Sequence, residues 1–115
     1  MLRKVLASKI HRATISEANL EYEGSITIPE ELLKASGIMP YEAVAVWDIT
    51  NGSRFETYAI TGEKPGYICV NGAAAHLVNR GDLIIIANFN YQTTETLKDY
   101  HPKIIFVDAD NNIKE

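Results

Sequence analysis

Ala43-Val44-Ala45-Val46-Trp47-Asp48-Ile49-Thr50-Asn51-Gly52-Ser53-Arg54-Phe55-Glu56-Thr57-Tyr58-Ala59-Ile60-Thr61 decides the fold. Two strand-like runs, Ala43–Ile49 and Arg54–Thr61, flank Thr50-Asn51-Gly52-Ser53. Asn-Gly is a strong hairpin signal, because both residues tolerate positive φ. Similar short runs lie on either side. Arg3–Ile15 reads as one or two strands, Ile26–Ile28, Tyr67–Val70 and Lys103–Val107 as one each. Leu83–Phe89 is apolar enough for a buried strand. The helices are brief. Ser16–Leu20 reads as a single turn capped by Ser16. Pro29–Ala35 starts on a proline, whose missing N–H suits a first turn, and stops at Gly37. Asn71–Val78 reads as a capped short helix, and Thr94–Tyr100 as a turn or two. Short strands at regular spacing predict a mainly β chain closed as a small barrel, with a double-sheet sandwich as the alternative.

Composition narrows the function. The chain has 115 residues, room for a single domain. Its apolar share of 46% can build a core, so general disorder is excluded. No apolar run approaches the roughly 20 residues of a membrane span. Lys9, His11 and Arg12 interrupt the basic, apolar start before a signal-peptide core could form. Cys69 is the single cysteine, so an intrachain disulfide and a cysteine-based metal site are excluded, and a reducing, cytoplasmic setting is expected. The net charge of −4 weakens nucleic-acid binding. Three scattered histidines form no metal motif, and no phosphate loop or Ser-His-Asp pattern stands out. A small barrel core makes oligomerisation reasonable on size alone.

Four stretches could carry chemistry. In Lys9-Ile10-His11-Arg12-Ala13-Thr14, strand alternation places Lys9, His11 and Ala13 on one face. A lysine and a histidine there could hold a carboxylate; a solvent-facing strand is the plainer reading. In Tyr22-Glu23-Gly24-Ser25, Gly-Ser reads as a turn, or as a peptide bond that cleaves itself. The serine hydroxyl can attack the preceding carbonyl and form an ester. Elimination and hydrolysis would then leave a pyruvoyl group. Gly24 would supply the strained backbone this needs. Such a ketone can form a Schiff base with an amine and withdraw electrons.

In the third stretch, Arg54, Glu56 and Tyr58 share a face and Thr57 points the other way. Arg54 and Tyr58 stand about 13 Å apart along the strand. An arginine binds carboxylates through two prongs, and a tyrosine can deliver a proton in a dry site. The plainer reading is a surface charge and a barrel-face aromatic. In the fourth, Asn71-Gly72-Ala73-Ala74-Ala75 combines small residues with a helix start. This permits close backbone approach and offers free N–H groups to an anion, or simply packs tightly.

Together these stretches resemble the pyruvoyl-dependent aspartate 1-decarboxylases, in order and over nearly the whole chain. The resemblance implies a double-psi β-barrel, and a homotetramer with active sites shared between subunits. It implies decarboxylation of L-aspartate to β-alanine and CO₂ for pantothenate synthesis in the cytoplasm, with no metal, pyridoxal phosphate, nucleic acid or membrane involved. It also implies that a precursor cleaves itself between Gly24 and Ser25 into chains 1–24 and 25–115, Ser25 becoming the pyruvoyl group. Thr57 would assist cleavage and contact substrate. Tyr58 would protonate the product carbanion. Arg54 and Lys9 would hold a substrate carboxylate. The Gly72, Ala73 and Ala74 backbone would bind substrate, with His11 and Asn71 in support. Pro29 and a short Gly62–Gly66 loop depart from the family pattern, outside the groups that would carry the chemistry.

A second likeness competes. Ser25–Leu33, Gly37-Ile38 and Ala43–Ala45 resemble the swapped-hairpin barrel of AbrB-like DNA-binding regulators. Against it, Lys34 is the sole cation between Gly24 and Thr50, facing Glu30, Glu31, Glu42 and Asp48. A DNA-contacting face needs several cations to displace counterions.

Overall fold

A computed structural model describes residues 1–114. Eight strands run in the order β2-β6-β3-β5-β4-β7-β1-β8 and coil around one core as a small β-barrel. They are β1 (Leu2–Thr14), β2 (Glu17–Asn19), β3 (Ser25–Pro29), β4 (Ala43–Asp48), β5 (Arg54–Gly62), β6 (Cys69–Asn71), β7 (Leu83–Thr93) and β8 (Lys103–Phe106). The α-helix among the described residues is α1 (Glu30–Ser36). Short 3-10 helices cover Gly72–Leu77 and Glu95–Leu97. Among the described residues no helix is long and apolar enough to cross a membrane.

The core is built from β-branched residues at alternating positions: Ile10, Ile26, Ile28, Val44, Val46, Ile84 and Ile86 are almost completely buried. Branched side chains suit a pleated surface and bury on one face while their neighbours point outward. The β4–β5 hairpin forms where Asn-Gly predicts it. Gly52 takes φ 81°, and its N–H donates to the Asp48 carbonyl at 2.8 Å.

Three expectations need correction. Ser16–Leu20 is not helical: Glu17–Asn19 pairs in parallel with Cys69–Asn71. The Ser16 and Glu17 N–H groups donate to the Ile68 carbonyl, and sheet pairing overrides the local turn signal. Pro29 is the last residue of β3 and the N-cap of α1, not its first helical residue, with ψ at 143°. At φ −56° it fits the backbone without strain. Third, Ala13 does not share a face with Lys9 and His11. Arg12 adopts φ 64°, and the β1–β7 register shifts between His11 and Ala13. This bulge turns Ala13 into the core, fully buried, and leaves Lys9 and His11 outside.

The short Gly62–Gly66 loop is held by close contacts. A Cβ on Gly62 would meet the Thr27 Cγ2 at 2.8 Å, and one on Gly66 the Asp110 carbonyl oxygen at 2.6 Å.

Candidate active site

β3 is flanked by β5, parallel to it, and β6, antiparallel to it. This placement assembles the candidate residues. The register pairs Ile26 with Ala59 and Thr27 with Ile60. Carried back one residue, it sets Ser25 beside Tyr58. On the other side Ser25 faces Asn71, and Thr27 faces Cys69. Directly opposed residues share a sheet face, so the face opposite the isoleucine core gathers Ser25, Thr27, Tyr58, Cys69 and Asn71.

Ser25 is only 1% exposed. Its hydroxyl accepts a hydrogen bond from Asn71 Nδ2 at 3.0 Å and lies 3.4 Å from the Glu23 carbonyl, to which it donates. Asn71 Nδ2 also donates to Thr27 Oγ1 at 3.1 Å. Asn71 stands at the helix-cap position that the sequence suggests, but its side chain makes no capping bond. The amide turns instead to the serine.

Gly72 adopts φ 72°, and its backbone lies against the 22–24 loop. A Cβ there would sit 2.6 Å from the Gly24 Cα and 2.7 Å from the Gly24 nitrogen. Gly24 itself has no positive φ and open space where a Cβ would go. The special backbone expected of Gly24 therefore belongs to Gly72, and Gly24 is packed against it.

A cavity of about 340 Å³ opens beside Ser25 and Tyr58, with Tyr22, Tyr41 and Ile60 among its walls. That is enough for a small amino acid. The Tyr41 and Tyr58 ring centres are 6.5 Å apart. Nothing about Pro40-Tyr41-Glu42 as a sequence marks Tyr41 as a wall residue. Strand parity alone would have linked Thr27 to Ser25.

Lys9, His11 and Arg54 do not line this cavity. They occupy the outer face of another part of the sheet. Arg54 pairs with Trp47, Trp47 with Ile85, and Ile85 with His11. Three strand spacings put Arg54 and His11 about 14 Å apart. The Arg54 guanidinium stacks over Trp47, 4.5 Å from the ring centre. Burial, then the charges of Lys9 and Arg12, lower the His11 pKa. His11 is thus neutral near pH 7 and packs edge-on to Phe106 at 5.5 Å. Ala73 is exposed, Ala74 packs partly on the core, and Ala75 is buried.

Known proteins resemble this chain over nearly its whole length. The aspartate decarboxylase family model matches residues 1–114. An aspartate 1-decarboxylase of Legionella pneumophila (strain Lens) is 62% identical over 114 residues, covering 98% of this chain and 86% of that relative. One from Corynebacterium efficiens is 56% identical over 114 residues, covering 98% and 84%. One from Syntrophus aciditrophicus is 52% identical over 115 residues, covering 99% of each. The AbrB-like stretch lies wholly inside this match and corresponds to β3, α1, Gly37 and β4, a strand–helix–strand unit that small barrels can share. With the match running through every stretch that carries the candidate chemistry, the chain belongs to the aspartate decarboxylase family.

Proposed function

We propose that this chain decarboxylates L-aspartate to β-alanine and CO₂, using a pyruvoyl group made from its own Ser25. The observation that carries this reading is Ser25 itself. It is a buried serine, held by a side-chain amide, one residue after a glycine packed against Gly72, with Tyr58 alongside.

Maturation begins when Ser25 Oγ attacks the Gly24 carbonyl carbon. The Gly24–Ser25 C–N bond breaks as the ester C–O bond forms. Elimination across the Ser25 Cα–Cβ bond releases the Gly24 carboxylate, and water replaces the nitrogen, freeing ammonia. Chains 1–24 and 25–115 result. Asn71 orients the attacking hydroxyl, and Gly72 holds the Gly24 backbone. Thr57, which precedes Tyr58 on β5, is the residue that assists at the carbonyl in this reading. A pyruvoyl group fits the position: the cavity at Ser25 is small, and its walls contribute no lysine that would compete as an amine. When formed, the group would supply an electron sink for the charge that loss of a carboxylate leaves behind.

The remaining work belongs to ordinary side chains. Tyr58 donates a proton to the substrate carbon from the strand next to position 25. The backbone N–H groups of Gly72, Ala73 and Ala74 bind substrate. Arg54, with Lys9, binds a substrate carboxylate. These cations lie away from their own chain's Ser25 cavity, which supports a site completed by a neighbouring protomer, in keeping with the homotetramer that the family resemblance implies. A cytoplasmic location accords with the single reduced cysteine.

A denaturing intact-mass spectrum tests the reading. Two fragments dividing after Gly24 are expected, the larger blocked to Edman sequencing and reactive toward a carbonyl reagent. Aspartate should then yield β-alanine, and Ser25→Ala should remain one chain. A wild-type chain still at 12.8 kDa after prolonged warming with cell extract overturns the reading.

A further inference from the structure

Cys69 has no part in the chemistry so far, yet it adjoins Asn71, the side chain that donates to the nucleophile. β3 and β6 place four side chains on one face: Ser25 opposite Asn71, and Thr27 opposite Cys69. Cys69 is 4% exposed and Asn71 3%. The Cys69 thiol donates to Asn71 Oδ1 across 3.1 Å. On its other end the same amide donates to Ser25 and Thr27, at 3.0 and 3.1 Å.

An asparagine amide carries donors on one end and an acceptor on the other. Hydroxyls can bond to either end, so Ser25 and Thr27 alone do not dictate which way the amide turns. A thiol discriminates better, because sulfur is a weak acceptor whereas its proton can meet a carbonyl oxygen. Burial pushes the Cys69 thiol up, which keeps the proton on sulfur. The thiol therefore favours the orientation with Oδ1 toward Cys69 and NH₂ toward Ser25.

The consequence reaches the hydroxyl. With the NH₂ end facing it, Ser25 accepts from Asn71 and sends its own proton toward the Glu23 carbonyl. A flipped amide would accept the Ser25 proton instead and swing Oγ away from that arrangement. We infer that Cys69 is a positioning residue for self-cleavage, acting through Asn71 to set the orientation of the Ser25 hydroxyl. This rests on the reading of Ser25 as the attacking group.

The test compares cleavage rates of freshly purified precursors by intact mass, with thermal unfolding measured in parallel. Cys69→Ala removes the donor and should slow cleavage about five- to tenfold, in line with loss of one hydrogen bond. Cys69→Ser restores a donor at the same place and should return the rate to within about twofold. In an Asn71→Ala background, Cys69→Ala should add no further slowing, because the amide it orients is gone. Should Cys69→Ala fail to fold, Cys69→Val fills the space without a donor and takes its place.

Equal rates for wild type and the donor-less variant overturn the inference. So do equally slow Ala and Ser variants, which would mark packing as the cause, and so does additive slowing with Asn71→Ala. A wild-type precursor that never cleaves overturns the reading of Ser25 and is thereby distinguishable.

Discussion

The backbone of Gly72 presses on that of Gly24, so closely that a Cβ on Gly72 would lie 2.6 Å from the Gly24 Cα. The contact joins the start of the 3-10 helix after β6 to the peptide proposed to cleave. Backbone on both sides leaves nothing flexible to move aside. Gly72→Ala combines this clash with a positive φ, and should cost about 2 kcal/mol or more of stability and displace Gly24 from Ser25. Cleavage should slow at least tenfold. Gly24→Ala enters open space at an ordinary φ and should change stability by less than about 0.5 kcal/mol. Thermal unfolding of uncleaved precursors and a mass-spectrometric time course measure both. A Gly24→Ala precursor less stable than the Gly72→Ala one would reverse the assignment.

Tyr58→Phe keeps the ring packed beside Tyr41 and removes only the hydroxyl. The variant should mature normally and bind aspartate, while kcat falls by about 10²-fold or more, the usual scale for losing a proton donor. β-Alanine release at the wild-type rate would take the proton-transfer role away from Tyr58.

Arg54→Lys preserves the charge but loses the planar, two-pronged contact and the stacking on Trp47. KM for aspartate should rise about tenfold with a smaller change in kcat. An unchanged KM would mean that Arg54 serves the Trp47 face rather than the substrate.

Asp48 offers a pH test of stability. It is 2% exposed, its Oδ1 accepts from the Asn51 N–H at 3.0 Å, and its Oδ2 has no partner among the described residues. Burial, then the Asp82 carboxyl beside it, raises its pKa from 3.8 to about 6. A proton on Oδ2 makes that atom a donor toward Asp82. Between about pH 4 and pH 6 the folded chain therefore holds a proton that the unfolded chain has released. The stabilisation is fully present below that window and lost as pH rises through it, by at most about 3 kcal/mol. Asp48→Asn keeps the Oδ1 acceptor and supplies a permanent donor. It should raise Tm at pH 8, leave it little changed at pH 4, and flatten the slope between. An unaltered slope would place the pH dependence elsewhere.

Much of this protein is legible along the chain. The β4–β5 hairpin follows from Asn51-Gly52 and two alternating runs, and the α1 stop from Gly37. The Ser25, Arg54–Tyr58 and Asn71–Ala75 stretches stand out because their residue types suit one chemistry. These are local features, set by steric limits on φ and by side-chain periodicity over a few residues. Other features depend on partners distant in sequence. Glu17–Asn19 is a strand only because β6 pairs with it. The Arg12 bulge that sends Ala13 inward answers the register of β7. Asn71 leaves its expected cap because β3 brings Ser25 and Thr27 within hydrogen-bond reach. Residue types and their local periodicity specify a β-rich chain with a Gly-Ser bond and the residues to exploit it. Which of them meet is a tertiary matter: strand pairing sets Tyr58, Asn71 and Gly72 around position 25 and leaves Lys9 and Arg54 on another part of the sheet. Pairing is a long-range choice made by the whole core, and no window of neighbouring residues contains it.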